Sequence, residues 1–298
     1  MTLGRLGIWT VYLDAVPTQQ AKELVAELDE LGWAAVWIPE VAGREPFVHA
    51  ALLLSASPRI ALATGIASIY NRDAAAAAAA QHTLTEAFGV DRFLLGLGVS
   101  HRGIVENYRG HTYGPPVKTM SAYLDAMATK TTQAIGPSGT PRKVISALGP
   151  RMLELAREKT DGALTYLVTP EHTALARKAL GEGKLLCVEQ GVVINSDPVE
   201  ARATARMALS NYLPSENYGR NFKRMGYTDD DIGDGGSDRI VDALIAWGDI
   251  DAIKRRVDDH FAAGADHVCI QAFSATGFAP PFSPPVEEWR ALAPALLA

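Results

Sequence analysis

RIALATGIASIYNRDAAAAAAA, residues 59–80, is the stretch that decides the fold. An apolar run of strand length, RIALATGIA, passes through the polar turn SIYNRD into seven consecutive alanines. Alanine has the highest helix propensity, loses no side-chain entropy and lets a neighbour approach closely. The run therefore reads as a thin helix packed tightly against the rest of the protein, with Asp73 suited to its N-cap. A disordered linker would carry Gly, Ser or Pro instead, and the QHTLTEAF that follows keeps helical periodicity. The stretch is a strand followed by a helix, and the question becomes how often that unit repeats.

It repeats along the chain. RLGIWTVYL leads into a helical pattern over 18–31, AAVWIPE into 46–56, and RFLLGLGV into 117–134. KVISALG leads to 150–159, DGALTYLV to 170–180, LLCVEQGVVI to 198–212, and HVCIQAF to a closing helix near 286–297. About eight such units in a chain of 298 residues is the pattern and size of an α/β protein of the (β/α)8 TIM-barrel type. The strands are continuous Val/Ile/Leu runs, as expected for parallel strands covered on both faces. No linker rich in Pro, Gly and Ser divides the chain, so a single domain over 1–298 is expected. Residues 213–238 lack periodicity and read as an insertion between the seventh and eighth units, followed by helices near 239–247 and 250–263.

Composition narrows the function. A formal charge of -6 argues against a broad basic surface for nucleic acid. No run approaches the roughly 18 to 20 apolar residues of a membrane span, and no secretory leader is evident, so a cytoplasmic location is expected. Cys187 and Cys269 sit in apolar stretches and read as small core hydrophobes. Without HExxH, GxSxG, a P-loop or a cluster of Cys and His, no metal, serine-hydrolase or NTPase chemistry is indicated. Small molecules are the expected partners.

In such a barrel the ligand site lies at the C-terminal strand ends, here including Trp9-Thr10, Pro39-Glu40, Thr64 to Ser68, Gly98 to His101 and Leu148 to Pro150. Glu40 and His101 are the ionisable side chains best placed over the mouth. A carboxylate and an imidazole facing one pocket can exchange protons, especially if burial brings their pKa values toward neutrality; Glu40 could equally pair with Arg44. Glu189 is expected near the bottom of the seventh strand, in a structural role. Three helices open with Xaa-Pro. Thr169 and Asp197 supply a capping oxygen for two of them, whereas Gly149 does not, which leaves that helix start to water or to an external anion such as a phosphate. The GxG of GLGVSH lacks the rest of a dinucleotide fingerprint.

The set WIPEVAGREPF, RIALATGIASIYNRD, RFLLGLGVSH, ISALGPRMLELA, VTPEHTALAR and GGSDRIVDALIAWGD, in this order, closely resembles the luciferase-like monooxygenase family, in particular oxidoreductases of actinobacterial type that use the deazaflavin coenzyme F420. The resemblance covers essentially the whole chain. It implies a barrel with insertions, a homodimer, and a flavin-like ring over the strand ends. It also implies a non-prolyl cis peptide at Gly65-Ile66 backing the ring, with Ala67 and Ser68 continuing that wall and Trp9 beside it. Val99 and Ser100 would reach the ring from strand four, and Leu148, Gly149, Pro150 and Arg151 would hold the phosphate. Glu40 and His101 would handle the substrate proton. Val41 stands where several F420-dependent dehydrogenases of the family carry a histidine, and His101 where its sugar-phosphate dehydrogenases carry a glutamate. These departures weigh against dehydrogenation of a sugar phosphate or a simple secondary alcohol, and reduction of an unsaturated or carbonyl substrate by reduced coenzyme is expected at least as much. The alternatives within this fold are an FMN-dependent monooxygenase and a barrel that binds a flavin or deazaflavin without turnover.

Overall fold

The computed structural model describes residues 3–130, 133–275 and 283–298. Among the described residues there are ten strands: β1 (Leu6–Trp9), β2 (Ala35–Ile38), β3 (Ala61–Thr64), β4 (Ala67–Ser68), β5 (Phe93–Gly98), β6 (Lys143–Ser146), β7 (Gly162–Thr165), β8 (Leu185–Ile194), β9 (Ile245–Gly248) and β10 (His267–Ala272). Eight of them form the ring β1-β2-β3-β5-β6-β7-β8-β10, closed where β10 pairs with both β1 and β8. Every ladder is parallel. Helices connect successive strands, giving a (β/α)8 barrel.

The strand pleat divides the core in two. Successive side chains point to opposite faces, so Ile8, Val36, Leu62, Ile145 and Leu186 pack outward under the helices, while Trp9, Trp37, Ala63, Val144 and Cys187 fill the barrel. Both faces are dry, which is why the strands read as unbroken apolar runs. Both cysteines are free and buried in the interior set. The alanine run forms the start of helix Ala74–Phe88, capped by the Asp73 side chain on the Ala76 amide at 2.8 Å. Its Ala74, Ala77 and Ala78 are buried and Ala75, Ala76 and Ala79 exposed.

Crowding at the third strand explains the GxG. A Cβ on Gly96 would lie 1.9 Å from the Thr64 carbonyl oxygen, and one on Gly98 2.4 Å from the Ile66 side chain. These glycines admit the chain between β3 and β4 rather than a dinucleotide.

Three expectations need correction. Residues 245–248 form strand β9 rather than the end of a helix: helix Asp238–Leu244 stops and Ile245 to Gly248 pair with Gly191 to Ile194 of β8. The helix expected over 117–134 spans Pro116–Ala128, and 131–132 lie outside the described residues. Glu189 is not at the bottom of the barrel but in the middle of β8, paired with Cys269 and fully buried. Segment 213–238 carries two short helices, Glu216–Arg224 and Asp229–Ile232.

Candidate functional site

A cavity of about 550 Å³ opens at the C-terminal strand ends. One wall is the bulge between β3 and β4, where the Gly65-Ile66 peptide is cis. The Trp9 indole donates to the Gly65 carbonyl at 3.0 Å, and the Glu40 amide donates to the Ile66 carbonyl at 3.1 Å. A Cβ on Gly65 would sit 2.6 Å from the Trp9 Nε1, so this contact needs glycine. Ser100 and Leu167, following β5 and β7, hold φ values of 56° and 51°, a region costly for non-glycine residues.

Glu40 lines the cavity, but its carboxylate is already engaged. Oε2 accepts from the Ser68 amide and from Arg72, both at 2.8 Å, and Oε1 accepts from Arg72 at 2.5 Å. Arg44 turns away to the Leu13 and Val16 carbonyls. Burial pushes the Glu40 pKa up, but hydrogen bonds from Arg72 and Asn71, the Arg72 charge and the Ser68 amide outweigh it and hold the carboxyl below its ordinary range. The shift toward neutrality considered from sequence therefore does not occur at Glu40. His101 is half-buried in the same cavity, stacked on Tyr218 with ring centroids 5.6 Å apart and its Nδ1 3.4 Å from the Ser215 hydroxyl. Burial lowers its pKa, Asn217 partly offsets this, and the imidazole stays neutral near pH 7.

The opposite part of the cavity is cationic. Among the described residues five helices, not three, open with Xaa-Pro: Glu45, Thr169 and Asp197 cap theirs through the side chain, whereas helix Pro150–Lys159, beginning at Gly149, and helix Pro116–Ala128, beginning at Pro115, have no side-chain cap. A Cβ on Gly149 would lie 3.2 Å from the Arg224 Nη2, so that guanidinium sits directly over the helix start. Arg151 and Arg220 line the same region. Arg220 contacts Glu216 at 3.4 Å, but neither Arg151 nor Arg224 has an acidic partner within 4.0 Å among the described residues. Burial and the nearby Arg220 lower the Arg224 pKa. A helix N-terminus beside unpaired guanidiniums is suited to a phosphate.

Of the residues singled out from sequence, Trp9, Glu40, Gly65, Ile66, Val99, Ser100, His101, Leu148, Gly149, Pro150 and Arg151 line one cavity. Ala67 and Ser68 do not: they pair with Leu97 and Gly98 and are buried behind the wall. Sequence reasoning missed Arg72 as the partner of Glu40. It also missed Asn217, Tyr218, Arg220 and Arg224, which helix Glu216–Arg224 turns toward the cavity. The spacing of Asn217, Arg220 and Arg224, three, four and seven residues apart along one helical face, was the available signal, and Tyr218 lies outside it.

Fold and cavity together define a (β/α)8 barrel with an arginine-rimmed pocket at its C-terminal strand ends. The family model for luciferase-like monooxygenases matches residues 2–267, and the chain belongs to that family. It is 26% identical over 333 aligned residues to a Mycobacterium tuberculosis protein named "Putative coenzyme F420-dependent oxidoreductase", covering 91% of this chain and 96% of the relative. Its fold is similar to that of an F420-dependent secondary alcohol dehydrogenase solved with an F420-acetone adduct (TM-score 0.73, 13% identity, 98% of each chain). It is also similar to F420-dependent tetrahydromethanopterin reductase from Methanopyrus kandleri (TM-score 0.74, 16% identity, 98% of each chain). The FMN-bound oxygenating constituent of 3,6-diketocamphane monooxygenase from Pseudomonas putida shares the fold too (TM-score 0.69, 14% identity, 97% and 95% covered).

Proposed function

We propose that this protein is a coenzyme F420-dependent oxidoreductase that moves a hydride between the deazaflavin and a small organic substrate. The observation that carries the reading is the arginine rim at the uncapped helix start. FMN ends at its phosphate, whereas F420 continues into a polyanionic glutamyl tail; Arg151 and Arg224, without an acidic partner among the described residues, line the phosphate position, and Arg220, whose contact with Glu216 at 3.4 Å is exposed, stands on the same rim to meet the tail. The Gly65-Ile66 wall, braced by Trp9, suits a flat ring system.

When bound, the deazaflavin supplies two-electron hydride chemistry. The chain does the rest. Arg224, Arg151 and the amides that open helix Pro150–Lys159 hold the phosphate. The Glu40–Arg72 pair and the Ser68 amide fix the bulge, so Glu40 acts as a positioning residue rather than a proton carrier. His101, neutral and facing the cavity, accepts the proton released when a substrate hydroxyl is oxidised, and its protonated form returns it in the reverse direction.

The test is equilibrium titration of the purified protein with F420 and, separately, FMN. Selective F420 binding is expected; binding of FMN alone would replace this reading with a flavin monooxygenase. We further propose a homodimer, because helix Pro46–Leu54 exposes Val48 and Leu52 and packs on helix Ala74–Phe88, which exposes Ala75, Ala76 and Ala79. A monomer by light scattering would refute this. The buried free thiols are consistent with a reducing, cytoplasmic setting.

A further inference from the structure

The end of the cavity away from the arginine rim is lined by a continuous aromatic run. His101 stacks on Tyr218, Tyr218 meets Tyr212 at 5.1 Å between centroids, Tyr212 meets Tyr166 at 5.4 Å, and Tyr166 meets Trp9 at 5.3 Å. All five side chains line the cavity. Tyr218 and Arg224 are six residues apart on one helix, about 9 Å along its axis, so the helix carries aromatic character at one end of the cavity and charge at the other.

The polarity of the aromatic end follows from counting hydrogens. The Tyr166 hydroxyl donates its single hydrogen to the Gln271 Oε1 at 2.7 Å. In the 3.0 Å contact between the Tyr166 and Tyr212 hydroxyls, Tyr212 must then be the donor. That leaves the Tyr212 oxygen with lone pairs only, an acceptor with nothing left to donate. Among the described residues the charges nearest this end are paired, Arg220, two residues past Tyr218, with Glu216 at 3.4 Å. Glu40 is neutralised by Arg72, His101 is uncharged, and Glu189, which acts electrostatically on Tyr166, Tyr212 and Tyr218, is kept protonated by burial. A charged ligand group placed here would be stripped of water without a counterion.

Building on the deazaflavin reading of the other end, we infer that this end takes a neutral, planar substrate presenting a hydroxyl hydrogen to Tyr212. Such a molecule packs its faces on the aromatic walls and fills the one open hydrogen-bond position that the tyrosine pair leaves.

The experiment is an equilibrium titration of the protein, first loaded with F420, using three fluorescent probes of one shape: 2-naphthol, 2-methylnaphthalene and 2-naphthoate. The expected order is 2-naphthol about tenfold tighter than 2-methylnaphthalene, the worth of one hydrogen bond, with 2-naphthoate on the order of a hundredfold weaker than 2-naphthol. In Tyr212→Phe the advantage of 2-naphthol over 2-methylnaphthalene should vanish while 2-methylnaphthalene still binds, which separates a lost hydrogen bond from a damaged fold. Tyr166→Phe frees the Tyr212 hydrogen, so 2-methoxynaphthalene, which can only accept, should gain affinity in that variant. Equal binding of 2-naphthoate and 2-naphthol, an undiminished preference in Tyr212→Phe, or no binding of any naphthalene would overturn the inference. Failure of F420 to load would instead overturn the cofactor reading, and the same probe order on the unloaded chain would still support the subsite.

Discussion

Replacing Glu189 with glutamine isolates the cost of keeping a carboxyl inside the barrel. The side chain is 1% exposed, its Oε2 accepts from the Leu167 amide at 3.0 Å, and its Oε1 has no partner. Burial, slightly relieved by the Leu167 amide, pushes its pKa up to about 8, whereas an unfolded glutamate ionises near pH ~4.3. Below about pH 4 both states hold the proton, so no stability is lost. As pH rises from there toward 8, the unfolded chain ionises and the folded one does not, so folding stability falls; above 8 the loss is constant. At ~1.4 kcal/mol per pH unit, the loss reaches roughly 3 to 4 kcal/mol at pH 7. Glu189→Gln keeps the shape, and its amide oxygen can accept from Leu167, but it cannot titrate. Urea unfolding of both proteins at pH 5 and pH 7.5 should show the variant gaining roughly 3 kcal/mol on the native protein between the two pH values. A difference that stays the same at both would refute the reasoning, because it would mean that Glu189 ionises normally in the folded protein.

Three further outcomes follow from the same geometry. Arg72→Ala leaves the Glu40 carboxylate, 5% exposed at the side chain, without its cation, and should cost about 3 to 5 kcal/mol in urea unfolding; adding Glu40→Gln should recover most of it, and no recovery would contradict the pairing. Gly96→Ala sets a methyl 1.9 Å from the Thr64 carbonyl oxygen, where no flexible side chain can yield, so a loss of at least about 1 to 3 kcal/mol or failure to fold is expected, and unchanged stability would count against the close approach of β3 and β5. Because burial holds the His101 pKa below 6.5, dehydrogenation should rise with pH along an acid limb lying below pH 6.5. That limb should disappear in His101→Gln while F420 affinity persists, and its survival would remove His101 from proton transfer.

Much of the fold was legible because the physics that builds it is local. Proline in the first helical turn, capping oxygens at Asp73, Thr169 and Asp197, and strands dry on both faces leave marks in the sequence itself. Strand β9 was not legible: Ile245 follows helix Asp238–Leu244 without a turn signal, and only its pairing with β8 makes it a strand. Glu189 was misplaced because the ten residues of β8 run further than an ordinary strand, so its first residues could not be told from its middle. Gly149 and Arg151 were found through a missing cap, a local feature. Arg72, Tyr212, Tyr218 and Arg224 were not, because each meets its site through tertiary packing: Arg72 lies 32 residues from Glu40, and Arg224 reaches over Gly149 from a segment without strand periodicity.

The proposed function requires a coenzyme phosphate and glutamyl tail held at the start of helix Pro150–Lys159, and Arg224, over Gly149, is the residue most directly placed to hold them. The measurement is the F420 dissociation constant of the native protein and of Arg224→Ala, across a range of ionic strengths. Loss of a charge-assisted contact predicts binding weaker by about ten- to a hundredfold, with a shallower dependence on salt. An Arg224→Ala protein that binds F420 as tightly as the native one, with the same salt dependence, would contradict the placement of the coenzyme.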